Sequence, residues 1–437
     1  MKLTAWKIFS TLIAASFIAT SCTSDAGDDN PPATTTQDGN SQVVAFPNKI
    51  DTGRTEYRDA RLPANTPGQA NPECEYPADR TLRIGSLIPR TGALDGLAPV
   101  QEAAIELALA DIEAAGGITG MDLTYDVADS GDNDTALVSA QRHIDEGVDV
   151  VLGPPSSVLS QQVIGEITSQ CRIHISAANT AMGFDALEQN DLYFRTAPSD
   201  RLQGHALASL VAESGPSNVA IIAATGDYGD PLGNFTSAAL GLANIASSVT
   251  PYDPNDVDSN AVAEQATRGD PDAFILIGFE ESSKILAELL RRDVDPRSIY
   301  LSDGNAGDAL GTNFTDADEL DGIRGIRPGA ETSGTFKRRL NQTNSQIDDF
   351  SFGPETYDAI IVTALAAELA QSDSPPAIAR QINGVTRDGT LCTSYTQCKN
   401  LIVGGETDID YDGFSGPLRF DADGEVTEAS FAVVEFG

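Results

Sequence analysis

Histidine, tryptophan, methionine and lysine are all scarce in this 437-residue chain. It has three histidines, one tryptophan, three methionines and five cysteines. The histidines, His143, His174 and His205, are scattered, and the cysteine spacing matches no zinc pattern, so no resident metal is expected. No Gly-x-Ser-x-Gly elbow is present, and no histidine sits beside a convincing nucleophile and orienting acid, so the chain reads as a non-enzyme. The stretch from Gly85 to Gly92 lacks dinucleotide-binding glycine spacing, and no cofactor is expected. Basic surface is missing as well. With 65 acidic against 27 basic residues the formal charge is −38, which argues against nucleic acid as a partner. Acidity of this kind suits solubility in a salty or wall-associated setting.

The one extended apolar run, Ile8 to Ala19, is too short for a bilayer-spanning helix, which needs roughly 20 residues. Lys2 and Lys7 flank Trp6 ahead of it, and small residues follow, the order of an export leader. Ala19-Thr20-Ser21-Cys22 resembles the lipobox of bacterial lipoproteins, with Ala19 where leucine is usual. The expectation is that residues 1–21 are removed and Cys22 carries a lipid anchor. The protein then works outside the cytoplasmic membrane. Residues 22–79, rich in Asp, Asn, Thr, Pro and Gly, read as a lipidated N-terminus and disordered tether. An oxidising exterior favours pairing the four other cysteines. Cys392 and Cys398 close a small loop, which leaves Cys74 for Cys171.

Beyond residue 80, strands and helices alternate. Strands are expected at Leu82–Ile88, Leu123–Val127, Val148–Leu152 and Ile173–Ser176, with helices from Pro99, over Ala136–Glu146 and after Ser156. The pattern restarts after Pro198, with strands at Val219–Ala223, Ser247–Thr250, Ala273–Gly278 and Ile299–Leu301. A helix over Glu355–Ala370 is apolar on one side. The end reads as a strand pair, Pro417–Phe420 with Phe431–Phe436, around the turn Asp421–Gly424. Such alternation predicts an α/β fold of two Rossmann-like lobes with parallel sheets. Ligands of such sheets sit beyond the carboxyl ends of the strands, where helix N-termini face outward.

The loops there carry the strongest resemblance. Leu82-Arg83-Ile84-Gly85-Ser86-Leu87-Ile88-Pro89-Arg90-Thr91-Gly92, the helix end Ala114-Ala115-Gly116-Gly117-Ile118, the segment Val151-Leu152-Gly153-Pro154-Pro155-Ser156-Ser157 and Asp227-Tyr228-Gly229 resemble, in order, the branched-chain amino-acid-binding (Leu/Ile/Val-binding) family. These are periplasmic and lipoprotein receptors of ABC importers, with the type I periplasmic binding protein fold. The resemblance implies a clamshell with a three-segment hinge near Thr196–Asp200, Ile326–Gly329 and Asp412–Pro417. It places lobe one at 80–197 plus 328–413 and lobe two at 198–327 plus 414–437. It implies a small-molecule ligand, an amino acid or analogue, and an ABC permease as partner. A sensory receptor of the same shape is the alternative. A tethered receptor of this kind needs no self-association, so a monomer is expected.

Carried over position by position, Ser157 would hold a ligand carboxylate, with Ser156 beside it, although helix capping alone would also explain both. Ala177, Ala178, Asn179 and Thr180 fall in the head-group loop, with Asn179 where the family has threonine. Tyr228 matches an aromatic that closes over the ligand, and Phe279 a second lining position. Gly304 falls where the family places its amine-binding acid. Asp303 lies beside it, with Asp227 and Glu280 as substitutes. Leu94 belongs to the first loop, and Phe352 is placed as a pocket cap.

Overall fold

The computed structural model describes residues 41–45 and 74–436 except positions 93, 187–191, 308–309, 312–313, 315–316, 330–331, 348, 422–423 and 428. The leader and Cys22 lie outside them. Three sheets organise the described residues. The first is five-stranded and wholly parallel, in the order Asp122–Asp129, Thr81–Ile88, Val150–Leu152, Ile173–Ser176, Tyr193–Arg195. The second runs Ser41–Ala45, Ser430–Glu435, Arg324–Pro328, Ile299–Leu301, Ala273–Ile277, Asn218–Ala224, Ala246–Tyr252. Its last five strands are parallel, and Ser430–Glu435 runs antiparallel to both its neighbours. A small third sheet joins Thr390–Cys392, Ile409–Gly413 and Gly416–Pro417.

Local sequence explains these elements. Ala-Phe-Ile-Leu-Ile at 273–277 is buried at every position, as expected of a parallel strand covered by helices on both faces. Asp132 caps the helix Asn133–Asp145 by accepting from the Thr135 amide, and Ser156 caps Ser157–Ser169 through the Leu159 amide, each satisfying an orphan helix donor. Each of the two large sheets carries its own apolar core, one containing Ile84, Leu152, Ile175 and Ile361, the other Leu207, Ile221, Ile275 and Val433. The α/β clamshell expected from the sequence is the fold observed.

Three details differ from expectation. The helix Gly353–Ala370 is buried around nearly its whole circumference, not on one side. The C-terminal strand pair does not form. Ser430–Glu435 lies in the second sheet, where Phe431 and Val433 reach its core, whereas Phe420 is buried in the first core against Phe194 and bridges Val426. The expected tether contains structure: Ser41–Ala45 is a strand. At its far end Cys74 is bonded to Cys171, the Arg172 guanidinium donates to the Tyr76 hydroxyl, and Ser374 Oγ donates to the Tyr76 carbonyl. Cys392 and Cys398 are also joined, so both disulfides are those expected. Among the described residues no helix is long and apolar enough to cross a membrane.

Candidate functional site

Two loop clusters form at the carboxyl ends of the two sheets. In the first, the chain leaves Val150–Leu152 through Gly153, whose φ of +85° and 2.5 Å approach of a notional Cβ to the Leu87 carbonyl oxygen require glycine. Asn179 Nδ2 donates to the carbonyls of Pro154 (3.1 Å) and Pro155 (3.0 Å). Its Oδ1 accepts from the Tyr193 hydroxyl at 3.0 Å. This fully buried side chain braces the loop, and its hydrogen-bonding capacity is spent on protein. Ser157 Oγ accepts from the Ala181 amide at 3.4 Å, so Ser156, Ser157, Ala177, Ala178, Asn179 and Thr180 occupy one neighbourhood. Ala177 also lines a small cavity with Ile88, Gln101, Pro155 and Thr356.

The second cluster is built around an aromatic pair. The Tyr228 and Phe279 ring centroids are 4.9 Å apart at 33°, and Phe279 is 43% exposed. The Tyr228 hydroxyl donates to Asp303 Oδ1 at 2.5 Å and lies 2.9 Å from Ser302 Oγ. Gly304 contributes its amide, which donates to the Tyr228 oxygen at 3.3 Å. No side chain fits at 304, because a Cβ would stand 2.6 Å from the Gly278 carbonyl oxygen. The carboxylate available in this loop is therefore that of Asp303. Asp227 and Glu280 are exposed at neighbouring loop positions.

A continuous hydrogen-bond path joins the clusters. The Thr180 carbonyl accepts from the Asp200 amide at 2.7 Å. Asp200 Oδ1 accepts from Gln203 Nε2 at 2.7 Å, and Gln203 Oε1 accepts from the Asp303 amide at 3.1 Å. Asp200 Oδ2 is buried and has no hydrogen-bond partner. Burial, reinforced by the Asp303 charge, holds the Asp200 carboxyl well above the usual range, and burial raises Asp303 too. Desolvation and the same carboxylate push up the Tyr228 phenol. Two carboxyl groups share this dry place, which disfavours ionising both and favours a cation nearby. Sequence reading missed Asp200 and Gln203. Their signal was the capped helix start Ser199-Asp200-Arg201-Leu202-Gln203, which spaces both residues onto one face.

Behind the loops, Arg195 is fully buried. Its Nε donates to Glu425 Oε2 at 2.7 Å and its Nη1 to the Ala181 carbonyl at 2.9 Å, and Nη2 reaches Asp185. Glu355 is also buried, beside Gly329, and its Oε1 has no partner. Desolvation raises its carboxyl to about 8. Leu94 precedes the short helix Asp95–Leu97. Phe352 heads Gly353–Ala370 in the left-handed region (φ 59°), and its carbonyl accepts from the Thr356 hydroxyl at 2.6 Å.

Residues 81–435 match the family model described as periplasmic binding protein. The chain belongs to the periplasmic binding protein family. This periplasmic binding protein is 24% identical over 362 residues to the chemotactic signal transduction system substrate-binding protein BasB of Halobacterium salinarum, covering 79% of this chain and 84% of BasB. The leucine-binding protein LivK of Thermotoga maritima superposes with a TM-score of 0.65 at 18% identity, over 80% of this chain and 94% of its own. The branched-chain amino acid substrate-binding protein LivJ of Streptococcus pneumoniae, solved with isoleucine, gives 0.63 at 20% identity, over 80% and 95%. At such identities these structures establish the shared fold, the type I periplasmic binding protein clamshell.

Proposed function

We propose that this periplasmic binding protein is an extracytoplasmic lipoprotein that binds a small amino acid, or a related carboxylate or amide, and delivers it unchanged to an ABC permease. In this reading the two sheet-centred lobes close on the ligand about a three-segment hinge. The packing of Leu418, Phe420 and Val426 in the first core supports a reading in which lobe one runs beyond 413. The third crossing then falls between Val426 and Ser430. Closure buries the ligand and shifts the population toward the form a membrane partner recognises.

The observation that carries the proposal is the path Thr180–Asp200–Gln203–Asp303–Tyr228. It brings the unpartnered Asp200 Oδ2 and the Asp303 carboxylate to the aromatic pair, while the N-terminus of Ser157–Ser169 and its serines offer donors to an anion. A zwitterion matches that polarity at both ends. Ser157 is the proposed carboxylate contact, Asp303 and Asp200 the proposed amine contacts, and Tyr228 and Phe279 the proposed wall over the side chain. Cys22 is the proposed lipid anchor.

The BasB relationship favours a second reading, a sensing receptor that reports the same class of ligand to a signalling partner. Both readings predict binding without turnover. Crosslinking of the ligand-loaded full chain in native membranes, followed by mass spectrometry, separates them: recovery of a permease supports transport, and recovery of a transducer supports sensing.

A further inference from the structure

Away from the cleft, at the edge of the first sheet, a buried imidazole faces a carboxylate. His143 on the helix Asn133–Asp145 is fully buried, and its Nε2 lies 3.1 Å from the Ser86 carbonyl oxygen. A carbonyl only accepts, so Nε2 carries the hydrogen and the neutral ring presents a lone pair at Nδ1. Asp126 Oδ2 stands 3.6 Å from that Nδ1. Nδ1 has no hydrogen-bond partner and is shielded from solvent, while Oδ2 is ion-paired with the Arg142 guanidinium at 2.7 Å. The guanidinium compensates Oδ2 and leaves the buried Nδ1 lone pair without a donor, a cost that an electrophile placed beside it would remove. One helical turn after His143, Glu146 adds a third ligand atom, and all three lie within 4.8 Å of one another.

We propose that Asp126, His143 and Glu146 form a binding site for a borderline divalent transition ion such as zinc, distinct from the solute cleft. One imidazole and two carboxylates suit zinc, nickel or copper better than calcium or magnesium, which prefer all-oxygen sets. The ring is presented as a ligand should be, since its hydrogen bond to Ser86 fixes tautomer and orientation, the usual outer-shell arrangement of metal-binding histidine. Gly85 on the strand Thr81–Ile88 makes the ring's seat, because a Cβ there would approach Nδ1 to 2.8 Å.

Arg142 is the competitor for this place. Its guanidinium lies 2.7 Å from Asp126 and 3.4 Å from Glu146, and Nη2 donates to the Val127 carbonyl at 3.0 Å. It is 40% exposed, so it can swing into solvent when an ion enters. The sequence does not announce the site, since Asp126 comes from a strand and the other two residues from the following helix.

Cobalt(II) substitutes for zinc and reports nitrogen ligation in its visible spectrum. Titration of the metal-stripped full chain with cobalt is expected to give one site per chain with ligand-field bands, displaced by zinc. Glu146→Gln, an exposed change, should weaken it at least about tenfold, the loss that even outer-shell partners cause. Arg142→Met should strengthen it. His143→Gln should abolish the bands, with circular dichroism as the check on folding. Absence of a saturable cobalt site in the folded wild-type chain, or a site indifferent to both Glu146→Gln and Arg142→Met, would overturn the proposal. A proton in place of the metal would appear as His143 titrating against Asp126 with no cobalt bands, and would overturn it equally.

Discussion

The Tyr228 hydroxyl donates to Asp303 at 2.5 Å, and this contact fixes the one acid that its loop can offer. Gly304 has no room for a side chain, so in the proposed reading amine recognition in the second cluster rests on Asp303 supported by Tyr228 and Gln203.

Replacing Asp303 by asparagine keeps the shape and removes the charge. The expected result is a loss of about 10–100-fold in affinity for an amino acid, the worth of one hydrogen bond to a charged group. Binding of a carboxylic acid lacking the amine should change little. Isothermal titration with L-leucine and 4-methylpentanoate measures both.

Ser157→Ala tests the opposite end of the ligand. The change also removes the acceptor of the Ala181 amide, so circular dichroism is the check on folding, and the folded variant should weaken carboxylate ligands by about tenfold or more, the worth of one hydrogen bond to a charged group. Unchanged affinity in the same titration would remove Ser157 from the site.

Arg195 and Glu425 form a buried pair across distant parts of the chain. Glu425→Ala leaves the guanidinium with Asp185 as its only carboxylate partner among the described residues. Urea unfolding should show a loss of about 3–5 kcal/mol, the usual result of breaking a buried ion pair.

Glu355 makes stability depend on pH in a defined direction. Its folded pKa, about 8, lies above its unfolded value, so the folded state binds the extra proton. Its contribution is complete below roughly pH 4.3, the unfolded value, and is lost as pH rises through 8. The melting temperature of Glu355→Gln minus that of the wild type should therefore grow between pH 5 and 8. A difference independent of pH contradicts the assignment.

The order of strands and helices was legible because each parallel strand is an apolar run bounded by loops of small residues. Val219–Ala223 and Ala273–Gly278 needed only end corrections. That Tyr228 and Asp303 lie in loops after strands was legible from the same pattern. Asp200, Gln203 and Glu355 were not, since a polar residue buried within a helix looks like one on its solvent face until the packing is known. The C-terminal pairing failed for a related reason. Phe420 and Phe431 have the same local pattern, and only the long-range packing sends them to different cores.

In the proposed reading a zwitterionic solute is held between the lobes by both its charges. Thermal-shift measurement of the full chain against L-leucine, 3-methylbutylamine and 4-methylpentanoate tests it most directly. A saturable rise in melting temperature with the amino acid, and little or none with either single-charge analogue, is the predicted result. An equal rise with an analogue lacking the amine, or no rise with any amino acid in a full panel, would contradict it.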